Sequence, residues 1–488
     1  MMTMIVRWRS SLRFRGRYLS TSSSSSSDSE KRRRRQHREA PVPEDPLSRM
    51  LGIASVGANI ALNVAQQAAK QALDNSNNKD NTSLLFSTQN TELLASELCR
   101  LRGAALKVGQ ILSLQDEHSI PEPLQKVLKQ VRTHANVMPK DQLEKCLKRN
   151  LGADWKDKFK YFETEPMAAA SIGQVHRALI STNEGDEEDV CVKVQYPGVA
   201  RSIVADMKSL ERLLVFSGMI PKGLFLDRVL KTARQELSAE CDYIEEAKHQ
   251  RSFRDLILQD SNNFRGVCVP KIVDELSTKE VLTMEWVRGV PIDETVSLSQ
   301  DVRNSIASRL LRLTVNELFV WHRVQSDPNW SNFLYDEEND ELNLLDFGAS
   351  RTYPDAFMRD YLGLVWACAN ADRDAILSWS RKLGFLCGRE SRAMTEAHIS
   401  MALVMGEPFL KNEPYDFERS NYQTRLAEHA STFTRERLMP PPTEVYTLHR
   451  KLFGTINACV KIGARIPCRH ELENVFVSSY DGGCSSGS

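Results

Sequence analysis

Three side chains late in the chain have types and spacing suited to holding metal against phosphate: Asp327, Asn332 and Asp346. They lie in Gln325–Arg351, QSDPNWSNFLYDEENDELNLLDFGASR, where an Asp is followed five residues later by an Asn. A short acidic turn comes next, then the apolar run Leu342–Leu345, which ends in Asp346-Phe347-Gly348. Hard oxygen donors brought to one place suit a divalent cation bound to a nucleotide, because the cation offsets charge developing on transferring phosphate oxygens. Asp-Phe-Gly alone is weak evidence for that chemistry. Joined to D-x-x-x-x-N, with 19 residues from Asp327 to Asp346, it is specific.

Such a site needs a phosphate-facing loop and a lysine on a strand. Pro166–Ala178 lies where a kinase has its glycine-rich loop, and Val190-Cys191-Val192-Lys193-Val194 resembles the strand whose Lys contacts the α- and β-phosphates. Ser171 and Lys193 are 22 residues apart, which leaves room for a hairpin tip in the acidic turn Asn183–Asp189. Ala168, Ala169 and Ala170 stand where glycines are expected, and alanine does not reach positive φ freely, so phosphate must be met in another geometry. Asp227–Phe253 reads as a helix carrying several carboxylates that could hold Lys193, and spacing does not choose among them. The strand Val281–Val287, with Glu285, Trp286 and Val287, occupies the place of the adenine-reading hinge. Beyond it the chain is mostly helical.

Two expected parts are missing. Gln325 replaces the His two residues before Asp327, and only Ala349–Pro354 separate Gly348 from the next helix. No long activation segment and no A-P-E follow, so the platform for a peptide substrate is gone, which argues against ordinary protein phosphorylation.

The earlier elements are helical. Leu94, Leu98, Leu101, Ala105, Val108 and Leu112 alternate spacings of four and three and draw one apolar stripe. Lys107 and Gln110 share a neighbouring face, for which solvation is the default reading. Lys140–Leu151 predicts an amphipathic helix stopped at Gly152 with a basic last turn.

Composition bounds the rest. The 488 residues carry 64 basic and 64 acidic side chains and are 41% apolar, so a sizeable core is available and no global charge points to nucleic acid. Ten cysteines form no C-x-x-C pair, which argues against a zinc module or disulfide scaffold and suits a reducing compartment. Residues 1–20 have five arginines between Arg7 and Arg17 and no acid, as in a mitochondrial transit peptide. Ser22–Ser27 and Lys31–Arg35 read as linker. Leu51–Ala69 has no charge over nineteen residues, but its Asn and Gln content points to a self-pairing or membrane-surface helix rather than a span, with a soluble connecting helix as the alternative.

Taken together, K-x-G-Q at Lys107–Gln110, A-A-A-S-I-G-Q-V-H at Ala168–His176, E-x-D at Glu240–Asp242, D-P-N-W-S-N at Asp327–Asn332 and D-F-G resemble the UbiB (ADCK) atypical kinase-like family. The resemblance covers roughly residues 90–480 and is strongest to mitochondrial members that support coenzyme Q (ubiquinone) biosynthesis. It implies an α+β, bilobal protein-kinase-like fold with an N-terminal helical extension. The expected division is transit peptide and linker at 1–48, apolar helix and linker at 49–82, and extension at 83–160. An N-lobe at 161–289, a C-lobe at 290–478 and a disordered tail at 479–488 complete it.

By the same resemblance Lys107 and Gln110 regulate the site, with Lys107 reaching the acids Glu240 and Asp242. Lys193 pairs with Glu246, Asp327 is the base or water-orienting group, and Asn332 and Asp346 hold Mg²⁺. Ala168–Ala170, Ser171, Lys193 and Glu285–Val287 surround ATP. The implied activity is an ATPase or phosphotransferase acting on or near membrane lipid at the matrix side of the inner membrane. Its implied partners are the ubiquinone-biosynthesis enzyme complex, inner-membrane lipid and a second copy of the chain, with no nucleic acid. A prenyl-lipid kinase and a nucleotide-binding pseudokinase scaffold are the alternatives. Retention of Lys193, Asp327, Asn332 and Asp346 together disfavours the scaffold.

Overall fold

The computed structural model describes residues 103–104, 107–108, 137–182, 185–217, 226–327, 329–439 and 442–481. The transit-like segment, Leu51–Ala69, Gln110 and most of the apolar stripe lie outside the described residues. Of the stripe, Val108 is helical and buried, as is Ala104 beside it in sequence. Among the described residues, no helix is long and apolar enough to cross a membrane.

The chain divides into two compact units. Among the described residues the first holds 103–104, 137–210 and 273–286, and the second holds 107–108, 211–272 and 287–481. Residues 211–272, expected in the first lobe, therefore group with the second unit.

In the first unit, helix Lys140–Leu151 follows the predicted pattern. Its buried face is Leu143, Cys146, Leu147 and Leu151, and Lys148 and Arg149 fill the last turn. Gly152 ends it at φ 99°, with its N–H donating to the Lys148 carbonyl. That backbone region is open to glycine at little cost.

The sheet is antiparallel. Gly173–Ser181 pairs with Glu187–Gln195, which pairs with Val281–Glu285, and the short strands Tyr161–Phe162 and Ala168–Ala169 both join the first of these. The period-two alternation of a strand explains its packing. Val190, Val192 and Val194 are fully buried, whereas Cys191 and Lys193 face the less covered side. Register sets Lys193 opposite Val175 and Leu282.

The core of the second unit runs through Ile306, Leu310, Leu313 and Leu318 of helix Gln300–Phe319. Around it stand helices Asp355–Ala369, Thr443–Lys461 and Arg469–Asp481. One small sheet orders Val267–Cys268, Glu341–Leu344, Phe333–Asp336 and Val290–Pro291. The acidic turn of the motif is its hairpin: Asp336 Oδ1 accepts from the Glu338 and Asn339 N–H groups, and Asp340 sits at φ 53°. Asp tolerates that left-handed region better than most residues.

The expected single helix over Asp227–Phe253 is two, Leu226–Glu240 and Tyr243–Gln259. Asp242 explains the break. Its carboxylate accepts from the Ile244 and Glu245 N–H groups at 3.2 and 3.4 Å and so caps the second helix.

Candidate active site

The two motif arms meet because a hairpin brings them together. Phe333 pairs with Leu344, and Leu345 N–H donates to the Asn332 carbonyl at 2.9 Å. Asn332 and Asp346 therefore leave adjacent strands at the same end of the hairpin. Asn332 Nδ2 donates to Asp327 Oδ2 at 3.1 Å, and Asn329 N–H donates to Asp327 Oδ1 at 3.2 Å. These two bonds fix the Asp327 carboxylate. Asp346 Oδ1 accepts from Gly348 N–H at 3.0 Å, while Gln325 Nε2 donates to the Asp346 carbonyl at 3.1 Å. Gln325 thus ties the loop to Asp-Phe-Gly directly.

Gly348 lies in a close approach of side chains. A Cβ there would lie 3.3 Å from Glu246 Oε2, 3.4 Å from Asp346 Oδ1 and 3.5 Å from Glu240 Cγ. The carboxylates of Glu246 and Asp346 therefore converge beside a residue with no side chain. Phe347 turns the other way into the core, 5.1 Å from the Phe253 ring.

Lys107 is buried in the same unit, not on a solvated face. Its Nζ lies 2.6 Å from Glu240 Oε1 and 3.0 Å from Glu236 Oε2. Burial disfavours the ammonium, yet Glu240 and Glu236 hold its pKa above the ordinary lysine value. Glu236 also receives both nitrogens of Arg450, at 2.9 and 3.0 Å, with Arg351 at 3.7 Å. Burial alone would push its carboxyl up, but Lys107, Arg450 and Arg351 bring it down to about 2. Glu236 is the acid that sequence reasoning missed. One turn before Glu240 on the same helix, it was visible as an i, i+4 pair.

Of the other expected residues, Ala168–Ser171, Lys193, Glu285 and Trp286 belong to the first unit, and Val287 begins a stretch of the second. The alanine loop is a tight hairpin: Ala168 pairs with Val175, Ala169 with Gln174, and Ala170 N–H donates to the Gly173 carbonyl at 2.8 Å. No residue from Ala168 to Gly173 has positive φ, so the turn uses no glycine-only conformation. Trp286 N–H donates to the Asp189 carbonyl at 3.0 Å, and Arg177 lies 5.5 Å over its ring.

The loop motif also carries a buried polar chain that its sequence did not announce. Gln174 Oε1 accepts from Met138 N–H, and Gln174 Nε2 donates to His176 Nε2 at 2.9 Å. His176 Nδ1 in turn meets the Glu163 carbonyl at 2.8 Å. Burial pushes the imidazole down to about 4, well below its ordinary 6.5. A histidine kept neutral in the fold contributes stability that is fully present above the unfolded pKa and is lost as pH falls from 6.5 toward 4. At about 1.4 kcal/mol per pH unit, lowering pH from 6.5 to 5 costs roughly 2 kcal/mol from this group. The unfolding midpoint is expected to drop over that range, and less steeply in His176→Gln. Parallel curves for the two proteins would contradict this account.

Residues 130–380 match the ABC1 atypical kinase-like domain. The chain belongs to this family. It is 42% identical to the mitochondrial atypical kinase COQ8B of Rattus norvegicus over 440 residues, covering 90% of this chain and 82% of that protein. It is 38% identical to the mitochondrial atypical kinase COQ8 of Saccharomyces cerevisiae over 441 residues, covering 90% and 86%. Among solved structures, the complex of Rv3197 with erythromycin from Mycobacterium tuberculosis is similar, with a TM-score of 0.54 and 25% identity. It covers 81% of this chain and 97% of that one. The α+β kinase-like expectation is thereby met. The ABC1 family assignment carries nucleotide binding with it.

Proposed function

We propose that this chain is a mitochondrial, ATP-hydrolysing atypical kinase that supports coenzyme Q synthesis from the matrix side of the inner membrane. The observation that carries this reading is Lys107. It is buried against Glu240 and Glu236 in the unit that also holds Asp327, Asn332 and Asp346. A lysine-bearing segment in that place fits chemistry on ATP in which no peptide is laid across the site. The mitochondrial names of the relatives and the transit-like composition of residues 1–20 support the compartment.

The oxygen donors Asn332 and Asp346, at one end of the hairpin, fit Mg²⁺. Among the described residues no three His, Cys, Asp or Glu side chains form a metal cage alone. A nucleotide-bound Mg²⁺ takes only one or two protein carboxylates and completes its shell with phosphate and water oxygens. Bound there, Mg²⁺ would neutralise charge on the phosphates. Asp327, held by Asn332 and Asn329, orients the attacking water and accepts its proton. Lys193, with Glu246 as its carboxylate, meets the α- and β-phosphates. The Glu285–Val287 backbone reads adenine. The 161–289 and 290–478 lobes, the apolar segment at 49–82, a second copy of the chain and the biosynthetic complex complete the reading.

The purified protein is expected to convert ATP to ADP and phosphate only with Mg²⁺ present, and faster on cardiolipin-containing vesicles. Absence of Mg²⁺-dependent hydrolysis under both conditions overturns the reading. A second expectation concerns the alanine hairpin. Ala170→Gly frees the backbone at the turn and should lower the Kd for ATP severalfold in a calorimetric titration. An unchanged Kd removes the hairpin from the nucleotide site.

A further inference from the structure

We propose that Arg450 is a positioning residue for the Asp327 loop, and that it joins the loop's placement to the docking of Lys107. The proposal rests on the ATP-hydrolysing reading above and assigns a role to a residue more than a hundred positions from the motif.

Arg450 lies on helix Thr443–Lys461, and its guanidinium is buried. Nε donates to the Ser326 carbonyl at 2.6 Å and one terminal nitrogen to Ser326 Oγ at 2.8 Å. The two terminal nitrogens also grip Glu236 bidentately. Ser326 immediately precedes Asp327. The next helix residue, Lys451, reaches Glu317 Oε1 at 2.7 Å, and Glu317 Oε2 accepts from Gln325 N–H at 2.8 Å. Consecutive helix side chains thus hold the two residues leading into Asp327, one directly and one through a carboxylate.

The loop so held is also tied to the metal-facing segment. Ser326 N–H and Oγ both donate to the Ala349 carbonyl, at 3.2 and 2.8 Å. Glu236 Oε2 is shared by Arg450 and Lys107, so seating of Lys107 and seating of Ser326 depend on one carboxylate. A buried ion pair is poor as a stabiliser, because desolvation offsets much of its attraction. It does impose geometry, and a planar fork with several donors imposes more than an ammonium can. Lysine at this position could reach Glu236 or Ser326 but could not hold both in one plane.

The test is steady-state ATP hydrolysis by full-length Arg450→Lys, with hydrogen exchange followed over residues 323–332. Displacement of a reacting group by about 1 Å can cost on the order of a hundredfold. We therefore expect kcat to fall by at least about tenfold, the KM for ATP to stay within about threefold, and exchange over 323–332 to accelerate selectively. Ser326→Ala should lower kcat in the wild type and add little in the Arg450→Lys background. Undiminished kcat in folded Arg450→Lys overturns the proposal, as does a rise in KM alone. A loss of exchange protection spread evenly over the second unit also overturns it, since that would mark a general stability role. If Arg450→Lys does not fold, Ser326→Ala carries the same readouts. If the wild type itself hydrolyses no ATP, the functional reading fails, and selective exchange over 323–332 still decides the clamp.

Discussion

Asp346→Asn is expected to reduce Mg²⁺-dependent ATP hydrolysis by two to three orders of magnitude while leaving the fold intact. The substitution is isosteric, and an amide oxygen can still accept from Gly348 N–H, so the local turn survives. What it removes is the negative charge, which makes this side chain the stronger of the two proposed metal donors. Loss of one preorganised electrostatic contact typically lowers kcat on the order of 10²–10³. The apparent Mg²⁺ requirement should rise as well, because a neutral amide is a weaker ligand for a hard cation. Thermal unfolding and Mg²⁺ titration of the purified variant separate these effects. In cells, the same variant should accumulate early coenzyme Q intermediates. Full hydrolysis by a folded Asp346→Asn protein would rule out the metal role.

Glu236→Ala should be the most destabilising single change among the residues discussed. The carboxylate is 1% exposed and serves Lys107 and Arg450 at hydrogen-bond distance. Removing it strands two buried cations, and breaking a buried pair this way costs about 3–5 kcal/mol. Denaturant unfolding should show that loss. Glu236→Gln should fall between the two, since the amide retains acceptor capacity for one cation. A loss under about 1 kcal/mol in Glu236→Ala would mean that other groups compensate Lys107 and Arg450.

What could be read in the sequence was local. Asp327, Asn332 and Asp346 were found because a hairpin joins them over a short stretch, so their spacing encodes their proximity. The Lys140–Leu151 helix announced its apolar face, its basic end and its glycine stop. The break at Cys241–Asp242 was missed because helical periodicity continues across it, and only the capping preference of Asp242 marks it. Arg450 and Glu236 could not have been paired from sequence. They are separated by 214 residues, and nothing local to either names the other. Lys107 was placed by motif resemblance alone, since its burial depends on acids 129 and 133 residues away. The carboxylate shared with Arg450 came only with the structure.

Phe347 has a pharmacological consequence. Its ring is fully buried against Phe253, which lies edge-on to Trp321 at 6.1 Å, and Trp321 meets Phe264 at 5.1 Å. Phe253 and Glu246 ride on the same helix, so the ring beside Asp346 and the helix beside Gly348 are joined by a tilted aromatic contact. A compound that had to evict Phe347 would disrupt that aromatic cluster and spend much of its affinity doing so. Ligands that leave the ring seated and compete for the nucleotide's own contacts are the better starting chemistry for an inhibitor.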